Sequence, residues 1–284
     1  MNIKDNNGRV LRLLSDYINY TPDAIDEEMI RETMEYCKVS VEEAFRILIL
    51  GIMDVFDDRE LKQGWFSHMF SCLDSRKYEN DPYKKAINLP TVKSGQWEFT
   101  TESYKPYEAF VYDDLKLDFA GRVIPQIGFF EKEYSYPVVK QGGREWMLIT
   151  PNEIETMKKP IDRAFGKVLT YGLGLGYFAF MSSLKENVES VTVVEKDPEV
   201  IELFSRFILP QFKNGDKVNI INASAYEYCK SAKGYDFVFA DIWHDPSDGC
   251  EAYLRLREYE RADSSYSYWI EDTIEYYLSL RKDI

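Results

Sequence analysis

The sequence has little of what metal and disulfide chemistry require. Its 284 residues include two histidines, His68 and His244, and four scattered cysteines, Cys37, Cys72, Cys229 and Cys250. No two cysteines form a C-x-x-C pair, so neither a zinc site nor a disulfide framework is expected, and free thiols fit a reducing compartment. No apolar run approaches the roughly 20 residues of a membrane span. The opening "MNIKDNNGRV" lacks the apolar centre of a secretory leader. The expectation is a cytoplasmic protein with no membrane partner. Positive charge is also short, with 35 Lys and Arg against 49 Asp and Glu, a net charge of −14. That balance repels phosphate backbones, so no nucleic-acid partner is expected, and a neutral or cationic small-molecule substrate is favoured. A G-x-x-x-x-G-K-[ST] loop is absent too, which excludes nucleotide binding of the P-loop kind.

What is present falls into three regions. Residues 1–90 read as helical. "VLRLLSDYI" has apolar spacing of three to four, "TPDAIDEEMIRETMEYC" opens with Thr21 as a cap and Pro22 in its first turn, and Ser40 and Glu43 have the spacing of a capping box. Two helices joined by "KVS" resemble a helix-turn-helix, but residues 21–60 carry 12 acidic and 4 basic side chains, the wrong sign for DNA. A helical cap or a homodimer surface is the expectation there. Residues 91–155 are rich in aromatic and β-branched residues, with Gly142-Gly143 as a hairpin turn, and predict a small antiparallel layer.

Residues 156–284 alternate between strand and helix. "KVLTYG", "VTVVEK", "KVNIINA", "YDFVFAD" and "YSYWI" read as strands, and helical patterns separate them. The fold class expected is α/β, a doubly wound, Rossmann-like parallel sheet with helices on both faces. About 15 residues follow "YSYWI", too few for a sixth and seventh strand. The sheet is therefore expected to be truncated, lacking its last two strands.

The first strand runs into "YGLGLGY", residues 171–177. Gly172, Gly174 and Gly176 let the backbone lie against a nucleotide-like ligand. Glu195, 23 residues beyond Gly172, ends the second strand, where a carboxylate can accept both ribose hydroxyls. A dinucleotide fingerprint would need glycine at position 177, which is Tyr177. The segment "DIWHDP" after the fourth strand offers Asp241, Trp243, His244 and Asp245. Asp241 is the first choice for a general base or an amine anchor, His244 can take a proton near neutral pH, and Trp243 can wall a pocket or stack on a cation. A metal on Asp241, His244 and Asp245 would lack further ligands nearby, so none is expected.

The G-x-G-x-G loop resembles class I S-adenosylmethionine-dependent methyltransferases. "VTVVEKDPEVIELF" and "YDFVFADIWHDP" resemble the second- and fourth-strand segments of the spermidine synthase branch of that superfamily. The resemblance implies S-adenosylmethionine as cofactor, held by Tyr171, Gly172, Gly174, Gly176, Glu195, Lys196, Ser224, Ala225, Asp241 and Trp243. It implies catalytic roles for Asp241, His244 and Asp245. Two positions depart from the branch: the acid its loop usually carries is Leu175 here, and the acid usual for the adenine amine is replaced by Ser224-Ala225. Leu175 makes methyl transfer to a small, amine-containing molecule the main expectation. Aminopropyl transfer and a non-catalytic nucleoside-binding or scaffold role are the alternatives.

Overall fold

The computed structural model describes residues 3–55, 68–119 and 121–281. In chain order its elements are α1 (Ile3–Tyr20), α2 (Glu27–Cys37), α3 (Val41–Ile52), β1 (Phe70–Cys72), α4 (Ser75–Glu79) and α5 (Pro82–Ala86). Six strands follow: β2 (Val92–Ser94), β3 (Trp97–Tyr104), β4 (Phe110–Leu117), β5 (Val123–Phe129), β6 (Tyr134–Gln141) and β7 (Arg144–Leu148). The alternating part comprises α6 (Pro151–Arg163), β8 (Gly166–Tyr171), α7 (Tyr177–Ser183), β9 (Val188–Glu195), α8 (Pro198–Phe207), β10 (Val218–Asn222) and α9 (Ala225–Tyr228). It ends with β11 (Phe237–Ala240), α10 (Pro246–Arg257), β12 (Ser265–Tyr268) and α11 (Glu271–Arg281).

The chain divides into two compact units, residues 1–77 with 103–135, and residues 78–102 with 136–284. These do not follow the boundaries expected near 90 and 155. Composition marks residues 91–155 as strand-forming but cannot say which strands pair, and they join two different sheets rather than one antiparallel layer. In the first unit β1, β5 and β4 form a sheet in which β1 runs parallel to β5. The helices cover it with apolar side chains, among them Ile49 and Phe45, whose ring stacks on Phe129 at 4.0 Å.

Ser40 caps α3 through the Glu43 N–H as its spacing predicts. The start of α2 is different. Asp26, not Thr21, accepts the Met29 N–H and caps the helix. The Pro22 carbonyl is already engaged by the Ala109 N–H at 2.8 Å and the Tyr17 hydroxyl at 3.2 Å, so residues 21–24 form a turn.

The second unit holds five parallel strands in the order β10-β9-β8-β11-β12. Among the described residues no sixth or seventh strand flanks them. β8 and β11 read as continuous apolar runs because both faces of the sheet are covered, and their last four residues are buried. The strand order reverses at β8, and the crevice beyond the C-terminal ends of β8, β9 and β11 is where such sheets bind ligands.

A second sheet, β2-β3-β6-β7, belongs to the same unit. Its β6–β7 hairpin turns at Gly142 and Gly143, both with positive φ. Trp97 of β3 donates to the Asp197 carboxylate at 3.2 Å and meets Trp146 of β7 edge to face at 5.7 Å. Asp197 also caps α8 through the Glu199 N–H.

The loop after β8 is held from below. Tyr83 of α5, fully buried, donates to the Leu175 carbonyl at 2.5 Å, and Tyr177 donates to the Asp81 carboxylate at 2.9 Å. Removing a donor from a buried carbonyl costs about 1–3 kcal/mol. Tyr83→Phe is therefore expected to lower unfolding stability by about that amount in chemical denaturation. An unchanged midpoint would mean that this contact does not hold the loop.

Candidate functional site

The crevice at the sheet edge contains a cavity of about 200 Å³. Gly172, Leu173 and Gly174 form one wall, and Glu195 and Lys196 come from the end of β9. Ser224, Ala225 and Tyr226 follow β10, and Asp241, Ile242, Trp243 and His244 follow β11. Each group lies just beyond a strand end because the chain must leave the sheet there. The structure thus brings Gly172, Gly174, Glu195, Lys196, Ser224, Ala225, Asp241, Trp243 and His244 around one space.

Gly172 has φ +98°, and a Cβ on it would lie 2.0 Å from the Asp241 carbonyl oxygen. No side chain fits there, and the close approach fixes the loop against the end of β11. Glu195 braces the same loop. Its Oε2 accepts the Leu173 N–H at 3.2 Å and its Oε1 the Asp197 N–H at 2.9 Å. Burial pushes its proton affinity up, and these backbone donors pull it back down. Each oxygen keeps a second lone pair for a ligand hydroxyl.

Asp241 is only partly exposed and has no such compensation. Burial alone raises its pKa from 3.8 to about 7. Trp243 is 5% exposed, and its Nε1 has no hydrogen-bond partner among the described residues. His244 is half exposed. Its ring meets Trp146 edge to face at 4.3 Å, and its Nδ1 lies 3.3 Å from Asp248.

Three expected residues stand elsewhere. Asp245 is outside the cavity lining and serves as the N-cap of α10, its carboxylate accepting the Ser247 N–H while Asp248 reaches back to the Asp245 N–H. The Asp-Pro pair that resembles a family motif is here a helix start, with proline in the first turn. Tyr171 turns its side chain into the apolar cluster of Val238, Ala240 and Tyr268. Its backbone carbonyl accepts the Asp241 N–H at 2.9 Å. Gly176, with φ +74°, makes room for Phe204, whose ring would lie 2.3 Å from a Cβ. It is a packing glycine and not part of the lining.

The cavity also has residues that no motif announced. Trp146 and Met147 of β7 line it from the second sheet. The Met147 Sδ accepts the Leu175 N–H at 3.1 Å and occupies the space a Gly174 side chain would need. Lys196 places its Nζ 5.6 Å above the Trp146 ring. Leu175 itself is fully buried and points no group into the cavity.

The Spermine/spermidine synthase domain matches residues 166–274, less than half of the chain. No curated protein matches. Among solved structures, a spermidine synthase from Thermotoga maritima has 22% identity and a TM-score of 0.36 over 46% of this chain and 48% of that one. A spermidine synthase in complex with the transition-state analogue AdoDATO has 22% identity and a TM-score of 0.35 over the same shares. A fibrillarin from Aeropyrum pernix with natively bound S-adenosyl-L-methionine has 19% identity and a TM-score of 0.29 over 38% and 46%. The chain thus spans about half the length of these structures. The unit of residues 78–102 and 136–284 carries a five-stranded parallel, Rossmann-like sheet.

Two outcomes follow from the site geometry. Asp245→Ala is expected to cost about 0.5–2 kcal/mol of stability, the range for losing a cap, with no change in ligand affinity. Calorimetric titration with S-adenosylhomocysteine, beside denaturation, separates the two. Asp241 binds its proton more tightly folded than unfolded, so it withdraws stability as pH rises from about 4 to about 7. The melting temperature of Asp241→Asn should therefore gain on the wild type across that window and hold the gain above it. A constant difference would mean that Asp241 does not titrate there.

Proposed function

We propose that this chain transfers an alkyl group from an S-adenosyl sulfonium donor to an amine, with an aminopropyl group from decarboxylated S-adenosylmethionine as the group moved. The observation that carries this is the placing of a glycine-rich loop, a half-buried Glu195 and the carboxyl of Asp241 around one cavity at the switch point of a parallel sheet. The match of residues 166–274 to the Spermine/spermidine synthase domain supports the aminopropyl group over others.

The residues fit such a donor. Gly172 and Gly174 leave the backbone open to it, and the free lone pairs of Glu195 suit ribose hydroxyls. Trp146, Trp243 and Tyr226 supply flat apolar walls. The sulfonium is already activated, so the protein mainly aligns the nucleophile. An amine arrives as an ammonium ion. Asp241 takes one proton from it, and the freed nitrogen lone pair attacks the carbon next to sulfur. The carbon–sulfur bond breaks with its electrons going to sulfur, giving a neutral thioether and a secondary ammonium product. A base with a pKa near the working pH suits that first step, and burial moves Asp241 in that direction.

Methyl transfer is the second reading, and Leu175 favours it. A donor with a free terminal amine gains from a carboxylate in the loop, and this loop has none. Competitive titration of S-adenosylmethionine against its decarboxylated form decides between them. At least tenfold tighter binding of the decarboxylated donor, about 1.4 kcal/mol, supports aminopropyl transfer. The reverse preference hands the site to methyl transfer. In either case Glu195→Ala should weaken the donor by about 1.5–3 kcal/mol. Unchanged affinity would remove Glu195 from the site.

A further inference from the structure

The cavity runs along the strand ends from β10 through β9 and β8 to β11. Hydrogen bonds tie the β10 end to Glu195. Asn222 pairs with Glu195 in register, and its Nδ2 donates to the Glu195 and Lys196 carbonyls at 3.0 Å each. The Ala223 N–H donates to the Glu195 carbonyl at 3.0 Å. Ser224, Ala225 and Tyr226 follow directly and line the cavity. Ser224 is half-buried and precedes α9, yet its hydroxyl makes no cap hydrogen bond. Tyr226 is braced from α10, where the Arg255 guanidinium lies 4.0 Å from its ring centre. No carboxylate joins these three. Glu227 is exposed, paired with Lys230 at 2.8 Å, and outside the lining. Lys196 can only donate, and it lies over Trp146.

A nucleoside with its ribose on Glu195 and its 5′ carbon toward Asp241 extends its base toward β10, because base and 5′ carbon leave opposite ends of the sugar ring. That placement rests on the function proposed above. The Ser224 hydroxyl then stands where the edge of the base arrives. A carboxylate in its place would only accept, and so would demand an amino group on the base. A hydroxyl donates or accepts, turning to suit its partner. We propose that Ser224 makes the site permissive at position 6 of the purine, so that it takes 6-oxo (inosyl) sulfonium donors as well as 6-amino (adenosyl) ones. An amino group gives a hydrogen to Ser224 Oγ, and a keto oxygen accepts the hydrogen from it. Ala225 and Tyr226 do not tell the two apart, because both bases are flat purines of nearly equal size. The class of donor is thereby widened to deaminated nucleosides, with the chemistry at sulfur unchanged.

Calorimetric titration of the full chain with S-adenosylhomocysteine and with S-inosylhomocysteine reads this directly, since the two differ at position 6 and the adjoining N1 hydrogen. Their dissociation constants are expected to agree within about fivefold, and a larger preference for the adenosyl compound overturns the proposal. Ser224→Asp installs a group that only accepts. It should separate the pair by at least roughly tenfold in favour of the adenosyl compound, since the keto oxygen then faces a carboxylate. A ratio that stays at the wild-type value in Ser224→Asp also overturns the proposal. If Ser224→Asp does not fold, Ser224→Ala decides. It should weaken both compounds by a similar factor, roughly three- to tenfold. A merely structural Ser224 would lower the melting temperature in that variant and leave both affinities unchanged. Equal binding of the two compounds by a protein that alkylates no amine would end the proposed function and leave the base reading standing. Binding of neither would end both.

Discussion

The site depends on a contact between two backbones. Gly172 turns out of β8 with φ +98° directly against the carbonyl of Asp241 at the end of β11. Any side chain there would push the two strand ends apart, because the obstacle is backbone and cannot swing aside. The contact does two things together. It bends the loop so that the Leu173 N–H faces Glu195, and it sets Asp241 at the floor of the crevice. The strand order explains why the contact matters at this edge. β8 is the central strand, with β9 on one side and β11 on the other, so its loop reaches both Glu195 and Asp241.

The rest of the cavity is imposed from the second sheet. Trp97 is fixed by its hydrogen bond to Asp197, two residues past Glu195. Trp146 packs on Trp97 and presents its other contacts to Lys196 and His244. Met147 fills the hollow left by Gly174 and accepts the Leu175 N–H, so the glycine loop is held from above by sulfur and from below by Tyr83. Leu175 is thereby drawn into the interior. Its burial follows from both of its backbone groups being held by residues outside the parallel sheet.

These relations explain what could be read from the sequence. The parallel sheet, the glycine loop, Glu195 and Asp241 were legible because strand, turn and strand-end acid are local signals within one αβ unit. Trp97, Trp146 and Met147 were not, because their roles arise from contacts with residues far along the chain, and an aromatic in a strand looks the same whether it faces a core or a cavity. Residues 91–155 were legible as strands but not as two sheets, since pairing is not written in composition. Asp245 was misread for the opposite reason. Asp-Pro with an acid at the third helical position is a strong local sign of a helix start, and its likeness to a family motif outweighed that sign.

The carboxyls of this unit share a residue class but not an environment, and that difference sorts their roles. Glu195 is half-buried, and burial raises its proton affinity while two backbone N–H groups at its oxygens oppose the rise. Its oxygens are already hydrogen-bond acceptors and keep lone pairs for a ligand. Asp241 has burial and no compensating donor, so its charged form is expensive and its proton affinity rises toward neutrality. Hydrogen bonds from Ser247 hold Asp245 below the usual carboxylate range as it caps α10, and Asp248 closes the capping box. Where environments drive like groups apart in this way, the group left uncompensated is the one able to move a proton, and the compensated ones bind or brace. In this sheet the uncompensated acid stands across the cavity from the compensated one. In the transfer proposed above, Glu195 would hold the ribose of the donor while Asp241 deprotonates the acceptor amine in the same cavity.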